Sequence, residues 1–256
     1  MAVNPILYSE KDHVGYITLN RPETENRLDL PMGQELADIC AQINLDQDIY
    51  LVIIGGAGDA FCAGGDIRQL VSAEGGDQTI WQYSPSEALA GINCPTLAAI
   101  NGDAIGEGLE IALSCDLRIT SDKARFGLPQ ISAGLMPLDG GTQRLPRLVG
   151  RGKALEMVLT GEIVDARTAF EIGLVNKVVE HANLEGEVEA VSKKIAGQAP
   201  LAMLYAKEAV NKGLDLTLEQ GLRLEADLYF LLHTTADRTE GIQSFLKKRP
   251  PQYKGK

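Results

Sequence analysis

Residues 94–141 read CPTLAAINGDAIGEGLEIALSCDLRITSDKARFGLPQISAGLMPLDGG, and this stretch decides the fold. An apolar strand at 96–100 runs into a glycine-rich turn, and an amphipathic helix follows with Glu110 one turn in. Such a turn at a helix start leaves backbone N–H groups free at the positive end of the helix dipole, where negative charge is stabilised. A carboxylate just behind the turn can move protons. The spacing therefore predicts oxyanion chemistry on a carbonyl group.

A second glycine cluster comes earlier in the chain. An apolar strand at 50–55 is followed by GAGDAFCAGGDIRQL at 56–70. Taken alone, either cluster is typical of a tight turn that has no catalytic role.

Together, and in this order, the two clusters resemble the crotonase (enoyl-CoA hydratase/isomerase) superfamily. The resemblance runs over residues 6–253 and is carried by four motifs: AFCAGGDI at 60–67, AINGDAIGEGLEIALSCDLRI at 99–119, FGLPQISAGLMPLDGGTQRLPRLVG at 126–150 and FLKKR at 245–249. It implies an α/β fold in which residues 1–195 form an acyl-CoA-binding spiral of β-β-α turns and residues 196–256 form a C-terminal helical trimerisation region. It also implies acyl-CoA substrates, on which the superfamily carries out several different reactions.

Composition narrows the function class. The chain has 256 residues, of which 45% are hydrophobic, and a net charge of −11. That charge disfavours nucleic acid and anionic membranes as partners. The sequence contains neither an apolar run long enough to span a membrane nor the pattern of a signal peptide, so we expect a cytoplasmic protein. The four cysteines form no C-x-x-C pair and are expected to be reduced, buried thiols; Cys62 has no histidine nearby in sequence to make it a nucleophile.

Strands alternate with helices in the first part of the chain, which predicts a mostly parallel sheet covered by helices. We expect strands at 13–19, 50–55, 96–100, 117–120 and 174–179, and helices at 31–43, 85–90, 108–114 and 141–149.

From residue 184 onward the pattern is helical. We expect helices at 184–197, with Asn183 as N-cap, at 200–212 and at 216–233. The last of these has leucines on more than one face, so it is either buried in its own domain or forms a subunit interface. The resemblance favours the interface, in a trimer or a pair of trimers.

The resemblance assigns an oxyanion hole to the backbone N–H groups of Gly65 and Glu107. The family usually has glycine at the second position, and a side chain is tolerated there only if φ is negative. Glu110 matches the first catalytic glutamate of the hydratases. Gln130 stands where the second is expected, and an amide cannot donate and take back a proton. This departure leaves ordinary two-glutamate hydration open to question.

Two other acids are candidates for the missing role. Glu107 lies three residues before Glu110, and two close carboxylates in a partly dry site have separated pKa values. Asp139 lies in the loop where the family positions the attacking water. Each also has a simpler interpretation: Glu107 as an acid favoured by the helix dipole, and Asp139 as a turn residue before two glycines.

The resemblance implies that coenzyme A is bound as part of the substrate, with no separate cofactor. The strand around residues 63–67 is expected to pair with the pantetheine amides, and Trp81 and Tyr83 to line the acyl pocket. The three histidines lack metal-ligand spacing, so we expect no metal. The residues expected to bind coenzyme A are Arg27, Ala63, Asp66, Ile67, Arg68, Phe245 and Lys248.

These observations predict an acyl-CoA lyase that reversibly adds water to an α,β-unsaturated thioester, with Glu110 acting on the water. Two alternatives stay open. One is another reaction of the superfamily, either double-bond isomerisation or thioester hydrolysis, run by Glu110 with Glu107 or Asp139. The other is an acyl-CoA-binding protein whose catalysis has lapsed.

Overall fold

The strand Thr96–Ile100 lies inside the main sheet of the computed structural model, which describes residues 4–65 and 84–256. The sheet has six strands in the order β1-β2-β3-β4-β6-β9. All neighbouring pairs are parallel except β1 with β2. The strands are β1 Ile6–Lys11, β2 Val14–Leu19, β3 Leu51–Gly56, β4 Thr96–Ile100, β5 Ala104–Ile105, β6 Leu117–Ser121, β7 Arg125–Gly127, β8 Ile163–Asp165 and β9 Lys177–Val179.

The described helices cover this sheet on both faces and then continue past it. They are α1 Leu30–Leu45, α2 Pro85–Ala90, α3 Glu107–Ser114, α4 Gly141–Val149, α5 Arg151–Thr160, α6 Ala166–Glu171, α7 Leu184–Ala196, α8 Pro200–Gly213, α9 Leu218–Leu232 and α10 Ala236–Leu246. The apolar run of β3 is continuous because its residues alternate between two cores. Val52 and Ile54 join the larger core with α1 and α3, whereas Leu51 and Ile53 pack with α7.

A second, smaller layer gives the chain its spiral form. The short strand β5 pairs in parallel with β7, and β7 pairs with β8. Two isolated parallel bridges, Leu28 with Gly65 and Cys62 with Ala104, repeat the same step in the preceding turns. After each of the strands β2, β3, β4 and β6 the chain therefore adds a short extended segment to this second layer. The predicted spiral of β-β-α turns is confirmed.

The C-terminal helices α8, α9 and α10 come after the last strand of the main sheet. Helices α8 and α9 pack against each other. The Lys207 ammonium group on α8 ties them to the core, lying 2.8 Å from the Asp116 carboxylate and donating to the carbonyl oxygens of Ile92 and Cys94. On α9 only Leu228 is buried, and Phe230 is 68% exposed. Burial of this helix in its own domain, one of the two expectations for residues 216–233, is therefore wrong for the single chain.

Several elements predicted from the sequence differ from the structure in their bounds or caps, and others were not predicted. The strand expected at 174–179 begins at Lys177, because the N–H groups of Leu174 and Val175 donate to the Ala169 carbonyl instead of to a neighbouring strand. Asn183 stands at the N-cap position of α7, but its side chain makes no capping hydrogen bond and contacts Glu180. Strands β1, β5, β7 and β8 and helices α5, α6 and α10 had no counterpart among the predicted elements.

Candidate active site

The two glycine-rich turns meet side by side in the second layer. The Cys62 N–H donates to the Asp103 carbonyl at 2.9 Å, and the Ile105 N–H donates back to the Cys62 carbonyl at 3.0 Å. A Cβ atom at Gly108 would lie 2.1 Å from the Cys62 carbonyl oxygen, so this approach requires glycine. The contact places the Gly64–Gly65 turn directly against the start of α3.

The expected oxyanion-hole residues, Gly65 and Glu107, are in contact with each other. Gly106 takes a positive φ of 57°, which leaves Glu107 free to begin helix α3 with helical backbone geometry. The requirement for a negative φ at Glu107 is therefore met. However, the Gly65 N–H is not free, because it donates to Oε2 of the Glu107 side chain at 2.7 Å.

Glu110 lies completely buried at the centre of the site, as predicted from its apolar helix. Its Oε1 atom accepts hydrogen bonds from the Gly141 N–H at 2.7 Å and the Asp139 N–H at 2.8 Å. Burial raises the pKa of Glu110 to about 7, with smaller raising contributions from Glu107 and Asp139 that the two N–H donors partly oppose. A carboxyl group with this pKa exchanges protons readily at neutral pH.

Gln130 stands beside Glu110 on a 3-10 helix, Pro129–Ala133. Its Nε2 group donates to Oε2 of Glu110 at 3.4 Å. Its Oε1 atom is buried and has no hydrogen-bond partner. An unsatisfied buried carbonyl oxygen is unfavourable unless something donates to it. Gln130 is thus able to hold a donor, such as a water molecule, next to the buried carboxyl group.

Asp139 links two parts of the site. Its carboxylate accepts a hydrogen bond from the Ser84 hydroxyl group and another from the Ser86 N–H at 2.9 Å, while its own N–H donates to Glu110. Burial raises the pKa of Asp139. Asp139 thereby joins the start of α2 to the loop that holds Glu110. A direct role in proton transfer stays a prediction.

A cavity of about 1210 Å³ opens beside these residues. Its polar wall includes Glu107, Gln130 and Asp139, and Glu110 is buried directly behind them. Its volume exceeds that of a typical small-molecule site, so it has room for a large ligand. The cavity also has an apolar lining, formed by Leu28, Leu30, Leu113, Leu135, Met136 and Leu138.

The described residues among those expected to bind coenzyme A come from two parts of the chain, around residues 27–63 and at 245–248. Arg27 donates to the Ala63 carbonyl at 3.1 Å, and the Ala63 N–H is already used by the Glu25 carbonyl. Ala63 therefore offers a ligand only the second lone pair of its carbonyl group. Phe245 lies in the last turn of α10 and Lys248 follows the end of this helix, and both are exposed. Their role stays a prediction, and Asp66, Ile67, Arg68, Trp81 and Tyr83 lie outside the described residues.

The cysteines offer no reactive thiolate at this site. Cys62 is fully buried between the two turns, and burial raises its pKa to about 12. Cys40 and Cys115 are also buried, Cys94 is half-buried, and all four are free. Among residues 4–65 and 84–256 no cluster of three or more His, Cys, Asp and Glu side chains is arranged to hold a metal ion. No described helix has the length and apolar character needed to cross a membrane.

Three residues of the site were not singled out from the sequence. Ser84 and Ser86 donate hydrogen bonds to Asp139. Ser84 also caps α2, and the Ser-Pro pair at this helix start was the sequence signal that could have identified it. Gly141 was recognised only as the start of the helix predicted at 141–149, not as a donor to Glu110. A Cβ atom there would lie 2.9 Å from Oε1 of Glu110, so glycine is needed for the N–H to reach the carboxyl group.

Comparison with known proteins extends over nearly the whole chain. The enoyl-CoA hydratase/isomerase family matches residues 9–256. The YngF protein of Bacillus subtilis is 43% identical over 256 residues, covering 98% of each chain, and a crotonyl-CoA hydratase of Syntrophomonas wolfei is 36% identical over 257 residues, covering 99% of each. An enoyl-CoA hydratase structure from Bacillus anthracis, 38% identical, superposes with a TM-score of 0.94 and covers 99% of this chain and 100% of that one. The chain belongs to the enoyl-CoA hydratase/isomerase family.

Proposed function

We propose that this protein reversibly adds water to the double bond of an α,β-unsaturated acyl-CoA. The observation that carries the proposal is the buried Glu110 carboxyl group, with a pKa of about 7, one turn into the helix that starts at Glu107 beside Gly65. Similarity to a crotonyl-CoA hydratase of Syntrophomonas wolfei supports the same reaction. Such chemistry belongs to the CoA-dependent metabolism of fatty acids.

In the proposed reaction, the thioester carbonyl oxygen accepts hydrogen bonds from the N–H groups of Gly65 and Glu107. These donors stabilise the negative charge that develops on that oxygen in the enolate. Ionised Glu110 removes a proton from water, and the water oxygen bonds to the β carbon. Glu110 then returns the proton to the α carbon, so that one molecule of water is added in total.

Gln130 has a positioning role in this proposal. Its amide cannot exchange a proton, but its buried Oε1 atom has no partner in the described structure and is able to accept a hydrogen bond from the attacking water. Its Nε2 group already contacts Glu110, so a water held there lies beside the base. A single carboxyl group then serves both proton transfers.

Double-bond isomerisation is the second candidate, and the same observation favours it. One buried acid-base group is sufficient to move a proton between the γ and α carbons of an acyl-CoA, and this needs no second carboxylate. Two other outcomes are open. One is thioester hydrolysis assisted by Asp139 or Glu107, and the other is a protein that binds acyl-CoA without catalysing a reaction. The products distinguish the three reactions, and a lack of any product indicates binding without catalysis.

We also propose that the protein is a cytoplasmic homotrimer or dimer of trimers. The support is the apolar surface of α9 and its neighbours, which a single chain leaves open; Leu218 is 80% exposed and Phe230 is 68% exposed. Solvent-exposed apolar surface of this extent is typical of protein–protein contacts. We further propose that Arg27, Phe245 and Lys248 bind coenzyme A.

The test is incubation of the pure protein with crotonyl-CoA and a panel of linear, branched and cyclic acyl-CoAs, followed by mass spectrometry. A gain of one water supports hydration, an unchanged mass with altered absorbance indicates isomerisation, and free CoA indicates hydrolysis. Glu110→Gln should lower the rate by roughly 10²- to 10⁴-fold, because the acid-base group is lost. Glu185→Gln, on the exposed side of α7, is the matched control and should keep the wild-type rate. Absence of turnover on the whole panel would contradict the proposal.

A further inference from the structure

The Glu107 carboxyl group lies over the turn that is expected to bind the substrate oxygen. Its Oε2 atom accepts the Gly65 N–H at 2.7 Å. A Cβ atom at Gly64 would lie 3.0 Å from Oε2, and one at Gly65 would lie 3.3 and 3.4 Å from the two carboxyl oxygens. The side chain is therefore packed against the backbone of the turn, and it fits there because both turn residues are glycines.

This contact is a favourable one for the free protein. A hydrogen bond to an ionised acceptor is stronger than one between neutral groups. Glu107 is also the first residue of α3, so its carboxylate lies at the positive end of the helix dipole. The features that suit this place to an enolate oxygen thus suit it equally to the protein's own carboxylate.

Two oxygen atoms cannot occupy the same position in front of one N–H group. The thioester oxygen needs to lie about 2.7 to 3.1 Å from the Gly65 nitrogen to gain from it. Oxygen Oε2 of Glu107 already occupies that direction at 2.7 Å. Substrate therefore binds productively only when the Glu107 side chain leaves, and the adjoining cavity of about 1210 Å³, whose wall includes Glu107, provides the space.

We propose that the Glu107 side chain occupies the oxyanion hole of the free protein and competes with the carbonyl oxygen of every acyl-CoA thioester. The proposal rests on the function proposed above, because it concerns the same Gly65 donor. It makes Glu107 a specificity-determining residue that weakens the binding of thioesters. Ligands without a thioester carbonyl group, such as free CoA or a CoA thioether, leave the Glu107 side chain in place, so their affinity does not depend on it.

The test compares two ligands that differ only at the carbonyl group. Butyryl-CoA is a saturated thioester that cannot be hydrated, and S-butyl-CoA is the thioether of the same chain length. Dissociation constants for both are measured by titration calorimetry on the wild type, Glu107→Ala and Glu107→Gln. Glu185→Ala is the control for removing a carboxylate elsewhere, and thermal unfolding checks that each variant is folded.

We expect Glu107→Ala to bind butyryl-CoA about 10- to 100-fold more tightly than the wild type, the range for loss of a competing hydrogen bond to a charged group. Glu107→Gln should give a smaller gain, because its neutral oxygen is a weaker acceptor. Binding of S-butyl-CoA should change by less than about twofold, whereas a loss of charge repulsion toward CoA would tighten both ligands alike. If Glu107→Ala does not fold, the comparison rests on Glu107→Gln.

Two results would overturn the proposal: unchanged or weaker butyryl-CoA binding in the folded variants, or equal gains for both ligands. Crotonyl-CoA turnover separates this failure from failure of the proposed function. A wild-type protein that hydrates crotonyl-CoA while the variants show no selective gain contradicts the competition alone. A wild-type protein and variants that bind neither ligand and turn over no acyl-CoA contradict both.

Discussion

The activity should fall as the pH is lowered, with a midpoint well above the pH at which an ordinary glutamate titrates. The raised pKa of Glu110, about 7 against 4.5 for an unperturbed glutamate, arises chiefly from its complete burial. Hydration as proposed requires the ionised form, because Glu110 takes a proton from water. The rate should therefore be highest above pH 7 and fall below it.

The size of this effect follows from the pKa. With a pKa of about 7, roughly nine tenths of Glu110 is ionised at pH 8 and roughly one hundredth at pH 5. The value of kcat/KM for crotonyl-CoA should thus fall about 100-fold over these three pH units, with a limiting slope of one. Loss of the absorbance of the conjugated thioester gives the rate directly.

The control excludes acid unfolding. Circular dichroism is recorded over the same pH range, and protein held at pH 5 is returned to pH 8 and assayed again. Full recovery assigns the loss to titration. A profile that stays flat between pH 5 and 8, or one whose midpoint lies near 4.5, would refute the assignment of a raised Glu110 pKa to the catalytic step.

Two further predictions concern how the fold holds this carboxyl group. Because the folded-state pKa of Glu110 is raised above its unfolded value, the folded protein favours the protonated form, so stability is lost as the pH rises from about 4.5 through 7. Chemical denaturation should show Glu110→Gln more stable than the wild type by about 3 kcal/mol at pH 8, with no difference at pH 4; equal stability at both pH values would contradict this. Gly141→Ala should lower the stability by about 1 to 3 kcal/mol and reduce turnover, because its Cβ would lie 2.9 Å from Oε1 of Glu110. Its control is Gly186→Ala on α7, where nothing lies within 4 Å; it should raise stability by about 0.5 to 1 kcal/mol, and equal behaviour of the two variants would count against the close contact.

The sequence predicted those parts of the fold that depend on local pattern. The strand β4 and the helices α2 and α4 have the predicted bounds, since each has a clear apolar run or a Pro or Gly at its start. Strands β5 and β7 are only two and three residues long and exist through pairing with each other across a turn of the spiral. Such pairing leaves no periodic signal within either segment.

In the candidate site, too, the features that depend on local sequence were predicted, and those that depend on distant contacts were not. Burial of Glu110 followed from its place in an apolar helix, and its approach to Gln130 followed from the resemblance. The hydrogen bond from Gly65 to Glu107 joins residues 42 positions apart and depends on a side-chain rotamer, which no local pattern encodes. The hydrogen bonds from Ser84 and Ser86 to Asp139 likewise join a helix start to a loop that is distant in sequence.

The bridges of Leu28 with Gly65 and of Cys62 with Ala104 have an evolutionary consequence. They hold the two turns that carry the expected donors through main-chain pairing, which does not use the side chain at position 107. The side chains at positions 107, 130 and 139 lie on one short helix, one 3-10 helix and one loop, outside these bridging residues. Natural variation or directed evolution is thereby free to redirect the reaction at positions 107, 130 and 139 while keeping the means of stabilising an enolate.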